Sequence, residues 1–180
     1  MVGDLQISFR PLALDDLELL QRWLNNDFVA RWWPGWPSLE QVRAKYAPRI
    51  EGTDPTKCFI IELDGLPIGF VQCYRAVADS PHLRALFDEP EETAGIDLFL
   101  GDRAHAYHGL GPRVIRDFLR RVVFAGPPTR RCIIDPAHNN FAAIRAYKKV
   151  GFSHIRTIAI PGELQPSYIM AIRPEELPGD

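Results

Sequence analysis

The stretch "DPAHNNFAAIRAYKKVGF", residues 135–152, decides how this chain is interpreted. An asparagine at 139 or 140 is suited to cap a helix and Gly151 to end it, so we expect a helix that runs to Val150. Within it Ala143 and Tyr147 lie four residues apart, which places the tyrosine beside a small residue that leaves room next to it. Tyr147 is therefore either a half-buried core residue or a side chain that faces a ligand.

A second stretch, "HAYHGLGPRVIRDFLRRVVF" at residues 105–124, places two glycines directly before an amphipathic run. The start of a helix offers unpaired N–H groups and a positive dipole end, and glycine allows a phosphate to approach them closely. We expect Gly111 near the N-cap and Pro112 at the first helical position, with Arg113 close enough to assist. The pattern is neither a full dinucleotide fingerprint nor a P-loop, so an ordinary glycine-rich turn stays an alternative.

Composition places the chain among ordinary globular domains. Its 180 residues suffice for one domain, 1–180, and a net charge of -2 gives no sign of a nucleic-acid or membrane partner. The three cysteines are odd in number and far apart, which predicts reduced thiols rather than disulfides or a metal site. Because we find no leader pattern and no long apolar run, we expect a cytoplasmic protein.

Strand and helix signals alternate along the chain. Their order, βααββ-βα-βα-ββ, predicts an α/β (α+β) domain with a mixed central sheet of about seven strands flanked by helices. The local signals are Asp15 or Asp16 as cap of the first helix, Ser38 with Gln41 as a capping box for a second helix through about Tyr46, and Asp64-Gly65 as a hairpin turn.

The helix of the opening stretch also carries a family signature. Asn140, Ala143, Ile144, Tyr147, Lys149, Gly151 and Phe152 match the pattern Asn-x-x-Ala-x-x-x-Tyr-x-Lys-x-Gly-Phe. This pattern, after a strand and a phosphate loop, resembles the GNAT superfamily of N-acetyltransferases over nearly the whole chain. The resemblance implies a single-domain GNAT fold whose sheet splays between residues 94–100 and 131–135, with acetyl-CoA in the opening.

The resemblance also implies which residues bind the co-substrate, acetyl-CoA, with no metal. Gly109 and Gly111 contact the pyrophosphate, Asn140 lies near the pantetheine arm, and Tyr147 protonates the leaving thiolate. One departure is Ala106, which stands where the family usually has Arg or Gln. The full expected cofactor set is Leu98, Leu100, His108, Gly109, Leu110, Gly111, Pro112, Arg113, Asn140, Ala143, Tyr147 and Lys149.

A finer resemblance lies in four blocks that occur in order. They are "LQRWLNNDFVARWWPG", "LDGLPIGFVQCY", "AGIDLFLG" and "IIDPAHNNFAAIRAYKKVGF". Together they are similar to the aminoglycoside 6′-N-acetyltransferases, antibiotic-resistance enzymes that acetylate the 6′-amine of their drugs. This implies Asp97 as the base or as the anchor of the amine. Because none of the three cysteines has an obvious histidine partner, we expect direct attack of the amine without an acyl-enzyme. A monomer and a homodimer both stay open.

The charge distribution fits a polycationic substrate. Carboxylates are concentrated between residues 79 and 97, where Arg84 is the one arginine or lysine. They form either an acidic pocket or a solvated loop. Of Trp32 and Trp33, we expect at least one in the core and the other as a wall for a sugar ring. The expected substrate set is Trp32, Trp33, Gln72, Tyr74, Asp79, Asp88, Glu89, Asp97, Asp135 and Glu163.

Two other functions are compatible with these patterns. One is an acetyltransferase for a different amine, such as a siderophore lysine, a polyamine or a peptide. The other is a CoA-binding module without catalysis. The presence of both Asp97 and Tyr147 argues against the module, because binding alone needs neither a base nor an acid.

Overall fold

The computed structural model describes residues 5–35, 38–75, 92–106, 109–126, 128–160 and 164–179. The strands and helices are β1 (Ile7–Pro11), α1 (Leu17–Leu24), α2 (Asp27–Ala30), α3 (Leu39–Ile50), β2 (Lys57–Leu63), β3 (Leu66–Arg75), β4 (Thr93–Leu100), α4 (Leu110–Phe118), β5 (Arg131–Ile134), α5 (Phe141–Val150), β6 (Ser153–Ile158) and β7 (Ser167–Ile172). A π-helical turn, Leu119–Val123, continues α4. Within these ranges no helix has the length and apolar character needed to cross a membrane.

The strands form one mixed sheet in the order β1-β2-β3-β4-β5-β7-β6. Strands β4 and β5 are parallel, whereas the β1–β2, β5–β7 and β6–β7 pairs are antiparallel. The parallel register ends with Gly95 opposite Ile133, while β4 continues to Leu100. The predicted mixed sheet of about seven strands is confirmed, and the sheet is open.

The chain divides into two compact units. The first contains residues 1–72 and 97–108, and its core is built by α1, α3 and the first strands. Leu17, Leu20 and Leu24 are buried on the inner side of α1, as their helical spacing requires. Burial of these side chains against Ile60 and Phe70 of the strands is the main stabilising term of this unit.

The second unit contains residues 73–96 and 109–180. Helices α4 and α5 pack on each other here. Val114, Ile115 and Phe118 form the buried side of α4, and Ile144 and Val150 are buried on α5. The apolar face predicted for the run after the glycines is thus the face that packs inward.

Several local predictions are confirmed. Ser38 and Gln41 form the predicted capping box at the start of α3. Asp64 and Gly65 turn the β2–β3 hairpin, both with positive φ (50° and 79°) as a tight type I′ turn requires. Gly151 ends α5 in the left-handed conformation at φ 113°.

Three boundaries differ from prediction. Helix α3 continues past Tyr46 and through Pro48 to Ile50, because both Tyr46 and Ile50 pack into the core. Helix α4 begins at Leu110, two residues before Pro112, since Gly109 takes the N-cap with φ 81°. Asp16 makes no side-chain cap for α1, because its carboxylate accepts hydrogen bonds from Arg10 and from the Ala13 N–H.

Candidate active site

Asp97 lies in the middle of β4 and is the first residue of that strand that belongs to the first unit. Its side chain is half-buried. Oδ2 accepts a hydrogen bond of 2.7 Å from Nε2 of Gln72 on β3. The predicted base or anchor is therefore held in place by a neighbouring side chain rather than free to swing.

Gln72 is almost fully buried, with 6% of its surface exposed. Its Oε1 accepts a hydrogen bond of 2.8 Å from Nη1 of Arg49, while its Nε2 donates to Asp97. Both ends of the amide thus have protein partners. Its expected contact with the substrate stays a prediction.

Arg49, in the last turn of α3, is a member of this cluster that the sequence analysis did not identify. Its Nε lies 3.2 Å from Oδ2 of Asp54, and its guanidinium lies 5.5 Å from the ring centroid of Tyr46. Burial disfavours the charge, but Asp54, Cys58 and Tyr46 together outweigh this effect, so the pKa of Arg49 is raised. The spacing could have revealed it, because Arg49 follows Tyr46 by three residues, and residues three apart lie on the same face of a helix.

Two further buried groups surround Arg49. The Tyr46 hydroxyl has no hydrogen-bond partner in the part of the chain that the structure describes, and burial raises the pKa of this phenol. Burial also raises the pKa of the Cys58 thiol to about 11, against the opposing influence of Arg49. Cys58 therefore stays a protonated thiol at neutral pH, which makes it a poor nucleophile.

An aromatic cluster borders the same stretch of β4. The Trp33 ring packs edge-on against Phe99 and Phe70, with centroid distances of 5.0 and 6.0 Å. Trp33 lies against the core cluster, which confirms that at least one tryptophan of the pair is a core residue. Trp32 is half-exposed, and the guanidinium of Arg31 lies 4.9 Å from its ring centroid. Its role as a wall for a sugar stays a prediction.

The second unit contains the glycine loop at the start of α4. A Cβ added to Gly109 or Gly111 would meet no atom of the described residues within 4 Å. The first turn carries no acidic residue among those described. The backbone at Gly111 is therefore open to approach, and the local charge favours an anion.

Helix α5 carries the other predicted catalytic residue. Tyr147 is buried (6% exposed), and its ring meets Phe152 edge-on at 5.6 Å between centroids. Asn140 caps the helix, because its Oδ1 accepts from the Ala143 N–H at 3.3 Å. The neighbouring Asn139 has a buried Oδ1 without a hydrogen-bond partner in the described ranges.

Asn139 is a second candidate site residue that the sequence patterns did not reveal. It was considered as a helix cap only, and Asn140 makes that cap. A buried amide oxygen with no protein donor is costly unless a bound group donates to it. The doubled asparagine before the helix was the available signal.

The other expected site residues are placed as follows. Leu98 and Leu100 are half-buried in the last part of β4, and Leu110, Pro112, Arg113 and Ala143 are half-buried in their helices, whereas Lys149 is exposed. Asp135 is half-buried directly after β5. The Tyr74 ring covers Gly95 so closely that a Cβ there would overlap it. His108, Asp79, Asp88, Glu89 and Glu163 lie outside the described residues.

Within the described ranges, no group of three or more His, Cys, Asp or Glu side chains could hold a metal ion. Glu92, one of the carboxylates between residues 79 and 97, lies directly before β4 and forms an ion pair with Arg130. This carboxylate is therefore engaged by the protein itself.

The similarity of this chain to known proteins covers nearly its whole length. A curated aminoglycoside N(6′)-acetyltransferase type 1 from Klebsiella pneumoniae is 30% identical over 158 residues, which cover 86% of this chain and 78% of the relative. The crystal structure of aminoglycoside acetyltransferase AAC(6′)-Ib with coenzyme A superposes with a TM-score of 0.85 at 28% identity, over 95% of this chain and 96% of that one. Its complex with coenzyme A and kanamycin gives a TM-score of 0.84 at the same identity and coverage.

A sequence model of the acetyltransferase (GNAT) domain matches residues 13–160. This range includes Asp97, the glycine loop and the Tyr147 helix. The predicted GNAT fold and the family resemblance are both confirmed. The chain belongs to the GNAT family and is an N-acetyltransferase.

Proposed function

We propose that this acetyltransferase transfers an acetyl group from acetyl-CoA to the 6′-amine of an aminoglycoside antibiotic. The observation that carries the proposal is the likeness to aminoglycoside acetyltransferases across 86% of the chain. The held carboxylate of Asp97 supports it, since an anionic group on β4 suits an ammonium acceptor. The product is an acetylated drug that has lost one positive charge.

The residues of the second unit fit acetyl-CoA. The open backbone at Gly111 and the positive end of α4 suit a pyrophosphate, with Arg113 in the same first turn. The unpartnered Oδ1 of Asn139 suits an amide N–H of the pantetheine arm. We retain Gly109, Leu110, Pro112, Asn140, Ala143 and Lys149 as further contacts. The co-substrate supplies the acetyl group as an activated thioester.

Asp97 acts on the acceptor. The carboxylate holds the ammonium group and accepts its proton, which frees the nitrogen lone pair for attack on the thioester carbonyl. The main chain of β4 at Leu98 and Leu100 supplies N–H groups that polarise the carbonyl. Because the amine attacks directly, no acyl-enzyme is formed, in keeping with the raised pKa of the buried Cys58 thiol.

Tyr147 completes the reaction on the sulfur. Its hydroxyl gives a proton to the departing thiolate, so that CoA leaves as a neutral thiol. Burial and the contact with Phe152 hold the ring in one orientation, which a proton donor needs. Trp32, Trp33, Gln72, Tyr74 and Asp135 stay our candidates for substrate contacts.

We also propose that the protein works in the cytoplasm. None of Cys58, Cys73 and Cys132 forms a disulfide. Free thiols are typical of a reducing compartment.

The test of this function is a competition among acceptors. Purified protein, acetyl-CoA and equal amounts of kanamycin, spermidine and a peptide are mixed, and the acetylated products are separated by mass. We expect kanamycin to be acetylated first, and the Asp97→Asn variant to lose this activity. Preferred acetylation of spermidine or of the peptide would refute the aminoglycoside assignment.

A further inference from the structure

We infer that Arg49 is a positioning residue for acetyl transfer, because it fixes the orientation of the Gln72 amide that holds Asp97. The inference rests on the proposed function, in which Asp97 receives the amine proton. No step requires Arg49 to touch the substrate. Its effect passes through one intervening side chain.

The geometry defines a continuous series of hydrogen bonds. The Thr56 N–H donates to Asp54 Oδ1 at 2.8 Å, and Asp54 Oδ2 lies 3.2 Å from Arg49 Nε. Arg49 Nη1 then donates to Gln72 Oε1 at 2.8 Å, and Gln72 Nε2 donates to Asp97 Oδ2 at 2.7 Å. Every bond in the series joins a donor to an acceptor.

Arg49 decides which end of the amide faces Asp97. The two ends of a glutamine side chain have nearly the same shape, so packing alone distinguishes them poorly. A guanidinium can only donate, and therefore the end next to Arg49 must be the oxygen. The nitrogen is then directed at Asp97. With the amide reversed, Oε1 would stand against the carboxylate and repel it.

Arg49 is itself firmly held. Only 13% of its side chain is exposed, and it is fixed by Asp54 on one side and by the Tyr46 ring on another. A buried cation of this kind is costly to desolvate, and the cost is offset when each of its faces has a partner. This arrangement makes Arg49 a rigid reference for the amide, rather than a flexible surface charge.

The test is a double-mutant cycle on kcat with Arg49→Met, Gln72→Met and the double variant. We expect Arg49→Met to lower kcat about tenfold, as for contacting residues of one hydrogen-bond network, with an unchanged KM for acetyl-CoA. In the Gln72→Met background the same change should have no further effect, because no amide is left to orient. Equal losses in both backgrounds would show that Arg49 acts through packing alone and would overturn the inference.

Two variants keep the test decisive if Arg49→Met folds poorly. Arg49→Lys retains a donor on a similar stem, so it should recover most of kcat; a lysine variant as slow as Gln72→Met would count against the inference. Arg10→Met is the matched control, because Arg10 also binds carboxylates in the same unit, at 2.6–2.8 Å. It should lower the melting temperature and leave kcat unchanged.

A measurement without turnover separates this inference from the proposed function. The side-chain NH₂ signal of Gln72, identified by its loss in Gln72→Met, is followed by NMR in the free protein. We expect Arg49→Met to shift it and to speed its exchange with water, and Arg10→Met to leave it unchanged. An unchanged signal in Arg49→Met would overturn the inference even if aminoglycosides are acetylated. A shifted Gln72 signal in Arg49→Met, in a protein that does not acetylate aminoglycosides, would refute only the proposed function.

Discussion

Replacing Tyr147 with phenylalanine tests the assignment of the thiolate's proton donor. The change removes one oxygen and keeps the ring that packs on Phe152 at 5.6 Å. A lost general acid lowers kcat by about 10²-fold, equivalent to roughly 2.7 kcal/mol of activation free energy. Loss of a single hydroxyl hydrogen bond changes the free energy of unfolding by only about 0.5–1.5 kcal/mol. The predicted loss of activity therefore exceeds the loss of stability.

The assay follows release of the CoA thiol at saturating substrates, with urea unfolding measured on the same samples. Tyr168→Phe is the matched control, since Tyr168 of β7 stacks on His154 of β6, with ring centroids 4.1 Å apart, and has no assigned role in catalysis. It should leave kcat unchanged. A Tyr147→Phe variant within about threefold of wild-type kcat would refute the reasoning, because such an effect is far below that of a lost general acid. Parallel losses of stability and activity in Tyr147→Phe would show that Tyr147 serves the core and not proton transfer.

Other predictions concern the co-substrate, the base and the stability of the fold. Gly111→Val should weaken acetyl-CoA binding at least about tenfold by calorimetry, because an added Cβ meets no described atom within 4 Å and the valine fills the approach to the backbone; the equally open Gly179→Val should not weaken it. Equal acetyl-CoA affinities of Gly111→Val and the wild type would show that the pyrophosphate binds elsewhere. Asp97→Asn should reduce kcat about 10²-fold with acetyl-CoA affinity intact, and a loss of that affinity would contradict its assignment to the acceptor. The hydrogen bond from Arg10 lowers the pKa of Asp16. This hydrogen bond stabilises the folded state fully at pH values above about 4, the pKa of an aspartate in the unfolded chain. The stabilisation is lost as the pH falls through the lower pKa of Asp16 in the folded protein. In urea unfolding, the free energy of unfolding of Asp16→Asn should therefore fall less between neutral and acidic pH than that of the wild type.

The sequence predicted the fold well where local signals decide structure. The Ser38–Gln41 capping box, the Asp64-Gly65 turn and the Gly151 helix end are each specified by a few adjacent residues. The helix that begins at the Ser38 capping box was predicted to run through about Tyr46, but α3 continues to Ile50, which packs against the core cluster. Tertiary packing, which no local pattern encodes, decided that boundary.

The candidate site shows the same division. Asp97 and Tyr147 were predicted from sequence because the family resemblance marks their positions. The pairing of Arg49 with Gln72 was not, because 23 residues separate two side chains that meet only after α3 packs on the sheet. The roles of Asn139 and Asn140 at the start of α5 also depend on three-dimensional geometry, since either residue can cap a helix.

The central claim is that the 6′-amine of an aminoglycoside is the group acetylated. The most direct measurement compares CoA release with kanamycin and with an analogue that carries a hydroxyl in place of the 6′-amine, and locates the acetyl group on the product by mass spectrometry. We predict turnover with kanamycin, an acetyl group on the 6′-nitrogen, and no turnover with the hydroxyl analogue. Equal turnover of both compounds would contradict the 6′ assignment. Turnover of neither, with acetylation of a polyamine or a peptide, would contradict the aminoglycoside assignment and leave only the acetyltransferase.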